Sequence, residues 1–298
     1  VSTARTQLED ATMKALDTAI QLRLKNILYA TDLSFVSKRA LPYALEIARR
    51  YGSTIYALHV THPDCDPLLP SSDWSKGAQD EEEFWEKSRT DLESKLQGIA
   101  HEIIFQSGET WPTLSEFIDN KRIDLLVFST HGRTGFDRVL FGSIAEKIVR
   151  KARCPVLAVG PAVTGEPKQN AEFNRILYAT DFSAESLAAA PHAISLAQEH
   201  RAQLVLLHLA EDGEDVPAML HTLHQLVPFG ADLRCEPICV VERGTPSIKI
   251  LDVAEGHGAD LIVLGVHRDT GLFPKHMIRT GVFRIVAQAK CPVLIVRS

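Results

Sequence analysis

The residues best suited to chemistry in this 298-residue chain lie in two loops. One is Ser129-Thr130-His131-Gly132-Arg133-Thr134-Gly135, which runs on to Gly142-Ser143 ahead of an amphipathic segment. Glycines let backbone N–H groups approach phosphate oxygens with no Cβ in the way, and a helix opening at Ser143 aims its unpaired N–H groups and positive dipole end at the same place. The chemistry indicated is anion binding, phosphate above all. Ser143 is also a natural N-cap, so its hydroxyl either closes the helix or bonds a phosphate. The other loop holds Thr31-Asp32. Phosphates repel a carboxylate, which puts Asp32 at the far end of a nucleotide, accepting hydrogen bonds from an adenine amine or a ribose hydroxyl. The alternative is that Asp32 caps the turn into the next helix. No nucleophile–base pair or carboxylate cluster stands beside the glycine loop, and His131 is a single imidazole, so slow hydrolysis is the most turnover to expect.

Two such loops meet only if a parallel sheet brings them to one edge, and the apolar runs predict that sheet. Ile27 to Ala30, Thr54 to Val60, Glu102 to Gln106, Leu125 to Ser129 and Val156 to Val159 are short, β-rich and bounded by turn residues, as strands are. Helical patterns alternate with them at Val36 to Arg50, Asp80 to Gly98, Thr113 to Asn120 and Ser143 to Lys151. The acidic run Asp80 to Glu83 opens a helix, where carboxylates favour the positive end of the dipole. In an open parallel sheet, ligands gather at the strand carboxyl ends where the strand order reverses. The loops after strands one and four are therefore the candidates.

The whole pattern then occurs again. Ile27-Leu28-Tyr29-Ala30-Thr31-Asp32 returns letter for letter as Ile176-Leu177-Tyr178-Ala179-Thr180-Asp181, Asp124-Leu125 as Asp260-Leu261, and Cys154-Pro155-Val156-Leu157 as Cys291-Pro292-Val293-Leu294. The chain is a tandem duplication. The offset falls from 149 between Asp32 and Asp181 to 136 between Asp124 and Asp260, a shortening that the sequence puts in the loop Thr61 to Gln79. The second repeat predicts strands near Ile176 to Ala179, Gln203 to Leu209, Leu233 to Val241, Leu261 to Val266 and Val293 to Val296. Its helices fall around Ala184 to His200, Ala218 to Leu226, Ser247 to Glu255 and Gly281 to Ala289. Gly160 to Asn174, with two prolines and two glycines, reads as an exposed linker between the repeats. The domains expected are 25–162 and 174–298, preceded by an amphipathic helical extension over 1–24 whose Leu8, Ala11, Ala15, Ala19 and Leu22 pack on the first domain or a partner.

Composition narrows the function. With 45% hydrophobic and 23% charged residues the chain is globular, and a net charge of −6 provides no basic field to gather nucleic acid or anionic lipid. No apolar stretch approaches the roughly 18 residues of a membrane span. The charged N-terminal segment lacks the unbroken apolar core of a secretory signal, and five cysteines without a CxxC pair fit reduced thiols, so a cytoplasmic setting is expected. His221 and His224 with Cys235 and Cys239, and His59 and His62 with Asp64 and Cys65, are weak metal-like clusters better explained as polar surface.

The first-strand pattern ending Thr31-Asp32-x-Ser34, the loop Ser129-x-x-Gly132 followed after nine residues by Gly142-Ser143, and the closing Cys-Pro-Val-Leu together resemble the universal stress protein family in its tandem two-domain form. The resemblance covers both repeats. It implies two α/β domains of Rossmann-like, adenine nucleotide alpha hydrolase-like fold, each a five-stranded parallel sheet flanked by helices, and ATP with Mg2+ as ligand. By that resemblance Ala30, Thr31 and Asp32 border the adenine and ribose with Val60 beside the base, while Gly132, Arg133, Gly142, Ser143 and Ile144 hold the phosphates and His131 lies alongside. Ser129 stands where the family has its first loop glycine. In the second repeat Gly265 restores that glycine, but Arg268 and Arg279 replace the counterparts of Gly132 and Gly142, with Thr280 matching Ser143. Domain 2 is therefore expected not to bind ATP in the family manner. Its arginines either recognise a smaller anion or are solvated.

The leading expectation is a stress-response regulator that binds ATP in domain 1. A nucleotide-free scaffold, or an adenylyl-transferring or ATP-hydrolysing enzyme, are the alternatives. The enzyme would need a second phosphate motif after strand one, and Thr31-Asp32-Leu33-Ser34 has none. The two final strands should pair with each other, since each otherwise leaves a free edge. A homodimer is expected beyond that.

Overall fold

A computed structural model describes residues 22–61, 77–130, 142–164, 171–266 and 277–297. The proposed helix over 1–24 therefore lies almost wholly outside the described residues.

In the first repeat β1 is Asn26–Ala30, β2 Thr54–Thr61, β3 His101–Ser107, β4 Leu125–Ser129 and β5 Val156–Val159. The second repeat supplies β6 Arg175–Thr180, β7 Gln203–Leu209, β8 Ile238–Glu242, β9 Leu261–Val266 and β10 Val293–Arg297. All ten join one sheet in the order β3-β2-β1-β4-β5-β10-β9-β6-β7-β8. Every pairing is parallel except β5 with β10, which run antiparallel with Leu157 opposite Leu294. Those two leucines are the same position of the repeat, so the pseudo-two-fold axis passes between them.

The central strands are buried on both faces, which is why they read as continuous apolar runs and not as alternations. Along β1, Ile27 and Tyr29 enter one core layer and Leu28 the other, and both layers continue through the two repeats. Helices α1 (Leu41–Tyr51), α2 (Gly77–Leu96), α3 (Thr110–Asn120) and α4 (Ser143–Lys151) cover the first five strands. Helices α5 (Ala190–His200), α6 (Val216–Gln225), α7 (Pro246–Gly256) and α8 (Met277–Gln288) cover the second five.

Proline explains most departures from the expected boundaries. The helix expected over 36–50 begins as a 3-10 turn, Ser37–Ala40, before α1 opens with Pro42 in its first turn. The single helix expected over 184–200 is likewise two pieces, Ala184–Leu187 and α5, the second opening at Pro191. Proline lacks an N–H and fits a helix only in the first turn, where that donor has no acceptor. β8 begins at Ile238, after Pro237, and not at Leu233. α2 has 20 residues and its counterpart α6 has 10, so the shortening of the second repeat falls partly in this helix and not only in the loop.

The segment expected to be an exposed linker is substantially buried where it is described. Val163, Ala171 and Phe173 belong to the core. Phe173 stacks on Tyr43 with ring centres 6.0 Å apart and meets His200 edge-on at 4.9 Å. Gly160 packs so closely on α8 that a Cβ would overlap the Val286 carbonyl. These contacts lie between repeats and leave no local sequence signal.

The repeated Asp-Leu motif has a structural task in both halves. Asp124 Oδ2 accepts from the backbone amides of Lys25 (2.8 Å) and Asn26 (2.9 Å), fixing the start of β1. Asp260 Oδ2 does the same for Asn174 (3.0 Å) and Arg175 (3.1 Å) ahead of β6.

Candidate functional site

The order β3-β2-β1-β4-β5 reverses between β1 and β4, so the loops leaving those strands diverge at one edge of the sheet. Ala30 pairs with Leu58 of β2 on one side and with Phe128 of β4 on the other. Thr31, Asp32, Val60 and Ser129 thus follow at the same carboxyl-end edge.

A compact set of side chains shapes the loop after β1. Thr31 Oγ1 accepts from the Leu33 amide at 3.0 Å and shares a 2.9 Å hydrogen bond with Ser37 Oγ. Asp32 Oδ1 accepts from the Ser34 amide at 3.0 Å, and Ser34 Oγ from the Ser37 amide at 3.1 Å. The Tyr29 hydroxyl donates to the Ser37 carbonyl at 3.1 Å, and burial pushes its pKa upward. Leu33 sits at φ 62, a left-handed conformation that costs a branched residue energy unless its surroundings enforce it. The Asp32 carboxylate therefore does close the turn, one of the two roles read from the sequence. It is half-buried.

His59 completes this set. Its Nδ1 donates to the Thr31 carbonyl at 2.8 Å, the tautomer being required because a carbonyl only accepts. The ring is buried beneath Trp85 (5.5 Å) and Phe105 (6.3 Å). Sequence reading grouped His59 with His62, Asp64 and Cys65, three residues outside the described set, and missed this role. The available signal was the repeat, because His208 stands 149 positions later, in step with Asp32 and Asp181.

The second repeat reproduces the arrangement. Thr180 Oγ1 accepts from the Phe182 amide (3.0 Å) and pairs with Ser186 Oγ (2.9 Å), Asp181 Oδ1 accepts from the Ser183 amide (3.0 Å), and His208 Nδ1 donates to the Thr180 carbonyl (3.0 Å). Phe182 repeats the left-handed backbone at φ 59. Burial pushes the Asp181 carboxyl up, but hydrogen bonds from the Ser183 and Ser186 side chains outweigh it and hold the group below its ordinary range. The surroundings of the imidazole differ: His208 lies 4.5 Å from the Phe182 ring and 3.2 Å, Nε2 to Oε2, from Glu214.

The end expected to meet an anion is carried by α4. Thr130 follows β4 and donates its amide to the Val159 carbonyl at 3.0 Å. His131, Gly132 and Arg133 lie outside the described residues. Gly142 is the N-cap of α4, with φ −58 and ψ 148, and Ser143 is the first helical residue. Ser143 is thus not the N-cap that its residue type suggested; the chain enters the helix one residue earlier. Ser143 is exposed, while Ile144 is partly buried against the core. The first-turn amides of a helix have no acceptor within it and point outward at its positive end.

Gly142 is informative because the fold does not demand it. Its φ suits any residue, and among the described residues a Cβ there would meet only the Thr130 carbonyl, at 3.7 Å, an ordinary contact. No side chain at this position stands in front of the helix N-terminus.

The second repeat departs at this end. Arg268 lies outside the described residues, and Arg279 and Thr280 are the third and fourth residues of α8, which starts at Met277. Relative to the position matching Ser143, the helix begins three residues sooner, about 4.5 Å along its axis. Gly265, which matches the family's first loop glycine in sequence, is required here by packing. The backbone of Glu185 and Ser186 packs where its Cβ would be.

Among the described residues no three His, Cys, Asp or Glu side chains converge as metal ligands, and no helix is long and apolar enough to cross a membrane. His221 Nε2 lies 3.0 Å from Gln225 Nε2, and the Cys235 thiol donates to Gln203 Oε1 at 2.8 Å.

Comparison with known proteins is consistent across methods. The profile of the universal stress protein family matches residues 23–160, 172–223 and 234–297. A universal stress protein of Methanocaldococcus jannaschii is 33% identical over 154 residues, spanning 45% of this chain and 81% of its own. Another, from Mycolicibacterium smegmatis, is 25% identical over 293 residues, 91% of this chain and 96% of its own. Among solved structures, a universal stress protein from Archaeoglobus fulgidus superposes with a TM-score of 0.72 at 24% identity, covering 93% of this chain and 99% of its own.

Proposed function

The chain belongs to the universal stress protein family, and from that premise we propose that it is a stress-response regulator whose first repeat binds ATP. Ala30, Thr31, Asp32 and Val60 border the adenine and ribose. Ser129, His131, Gly132, Arg133, Gly142, Ser143 and Ile144 surround the phosphates, where Mg2+ would offset their charge. The observation that carries this reading is Gly142, a glycine that neither its φ nor its described neighbours require, at the mouth of a helix N-terminus beside the strand-order reversal. The carboxylate of Asp32 stands away from the phosphates, as Coulomb repulsion requires. Occupancy, and not turnover, is the signal, its strength set by the difference in nucleotide affinity between conformations.

In this reading residues 25–162 form the nucleotide domain and 174–298 a domain that does not take ATP in the same manner. A cytoplasmic setting and a homodimer belong to the same proposal; sedimentation of the purified chain tests the second. A nucleotide-free scaffold is the competing reading for the C-terminal half, favoured by the backbone of Glu185 and Ser186 that fills the space at Gly265.

The test is to denature the purified protein, identify released nucleotide, and titrate ATP into the parent and Gly142→Arg. The parent should bind ATP and the variant should lose at least tenfold in affinity, about 1.4 kcal/mol. Equal affinities would remove the loop from the site.

A further inference from the structure

Resting on the ATP reading above, we propose that Arg297, contributed by the second repeat, is a positioning residue for the phosphate end of the first repeat's cleft. Arg297 ends β10, and its Nη1 donates to the backbone carbonyl of Arg150. Arg150 lies in the last turn of α4, where carbonyls have no helical donor and where a cation favours the negative end of the dipole. The Arg150 side chain turns back along the helix to Glu146 Oε1 at 3.1 Å, so the carbonyl is met by the other repeat's guanidinium and not by its own.

α4 is nine residues long, about 13 Å, and behaves as one rigid rod. Holding its C-terminal end to β10 fixes where its N-terminal amides at Ser143 and Ile144 point. β10 is itself anchored on both sides, antiparallel to β5 and parallel to β9.

The contact is one-sided although the fold is two-fold. Gly160 occupies the position after β5 that Arg297 occupies in the second repeat, 137 residues later, as Cys154 matches Cys291. Gly160 brings only backbone to the Val286 carbonyl, so α8 receives no guanidinium from across the seam at this position. The helix that gains the clamp is the one preceded by Gly142. The helix without it has Arg279 at that position. Two sequence asymmetries at opposite ends of the same helix therefore agree, and they assign the second repeat a part in the first repeat's site.

The test titrates the full chain with ATP and with adenosine, in the parent, Arg297→Met, Arg297→Lys and Gly142→Arg, with thermal midpoints measured without ligand. Arg297→Met should weaken ATP about two- to fivefold and leave adenosine unchanged, because only the phosphates contact α4. Arg297→Lys, which keeps the charge without the planar fork, should lose less, again on ATP alone. It also serves if the methionine variant does not fold. Unchanged ATP affinity in both variants, or an equal loss for ATP and adenosine, overturns the clamp. If Gly142→Arg also leaves ATP binding intact, the site itself is wrong and the clamp falls with it. A loss in Gly142→Arg without one in the Arg297 variants overturns the clamp alone.

Discussion

His200 Nδ1 lies 3.6 Å from Glu46 Oε1 where α1 of the first repeat meets α5 of the second. Its pseudo-symmetric partner contact is Tyr51 with Ser195, whose oxygens are 3.0 Å apart. Positions 46 and 195 correspond in the repeat, as do 51 and 200, so one two-fold seam is closed once by two hydroxyls and once by an imidazole beside a carboxylate.

That substitution makes the seam sensitive to acid. The His200 side chain is 1% exposed, faces Phe173, and has no hydrogen-bond partner at either ring nitrogen. Burial, opposed by Glu46 and reinforced by Arg50, pushes its pKa down to about 4; burial does the same to His192 on the same helix. A histidine whose folded pKa is depressed binds fewer protons folded than unfolded. Its contribution is present above the unfolded value near 6.5 and is lost progressively as pH falls toward 4. The unfolding free energy from denaturant titration should drop by roughly 1–3 kcal/mol across this window, and His200→Phe should flatten the profile. An unchanged slope in that variant would acquit His200.

Two glycines, Gly142 ahead of α4 and Gly265 in β9, should respond oppositely to substitution. Gly142→Ala should leave the unfolding free energy within about 0.5 kcal/mol of the parent, since its φ and its described surroundings accept a methyl group. Gly265→Ser, which installs the residue found at Ser129, forces a Cβ against the Glu185–Ser186 backbone and should cost about 1–3 kcal/mol.

At the seam between repeats, Gly160→Ala should destabilise by a similar amount, about 1–3 kcal/mol, because the Val286 carbonyl cannot yield without moving α8. Hydrogen exchange should locate the loosening at the β5–β10 pairing. Protection lost only in distant strands would contradict this.

Thiol labelling offers an independent check on burial. Desolvation pushes Cys154 and Cys291 up to about 12, whereas Cys235 is exposed. At pH 8 an aromatic disulfide reagent should modify Cys235 promptly and reach Cys154 and Cys291 only as the protein unfolds. Rapid modification of either buried thiol would mean that the Cys-Pro-Val-Leu corner opens locally.

Much of the fold was legible because each signal was local. Parallel strands buried on both faces must be runs such as Leu125 to Phe128, and repetition of Ile27 to Asp32 at 176–181 declared the duplication outright. Caps were less legible than helix spans: Ser143 has the residue type of an N-cap, yet it is the first helical residue and Gly142 is the cap. The β1 end of the site was read in part. Thr31 and Asp32 were found because they follow strand one at the carboxyl edge of a parallel sheet, while His59, although repeated as His208, was passed over because a single histidine on a strand carries no motif.

The sequence by itself determined which segments are strands and helices, that they are written twice, and that the first copy has Gly132 and Gly142 where the second has Arg268 and Arg279. Such facts follow from side-chain size and backbone freedom, which are properties of single residues and their near neighbours. Tertiary structure decided that Gly265 accommodates Ser186, that Phe173 is core and not linker, and that Arg297 reaches the end of α4. Each of these depends on contact between residues 79 or more positions apart, and close packing between distant segments is set by the whole fold.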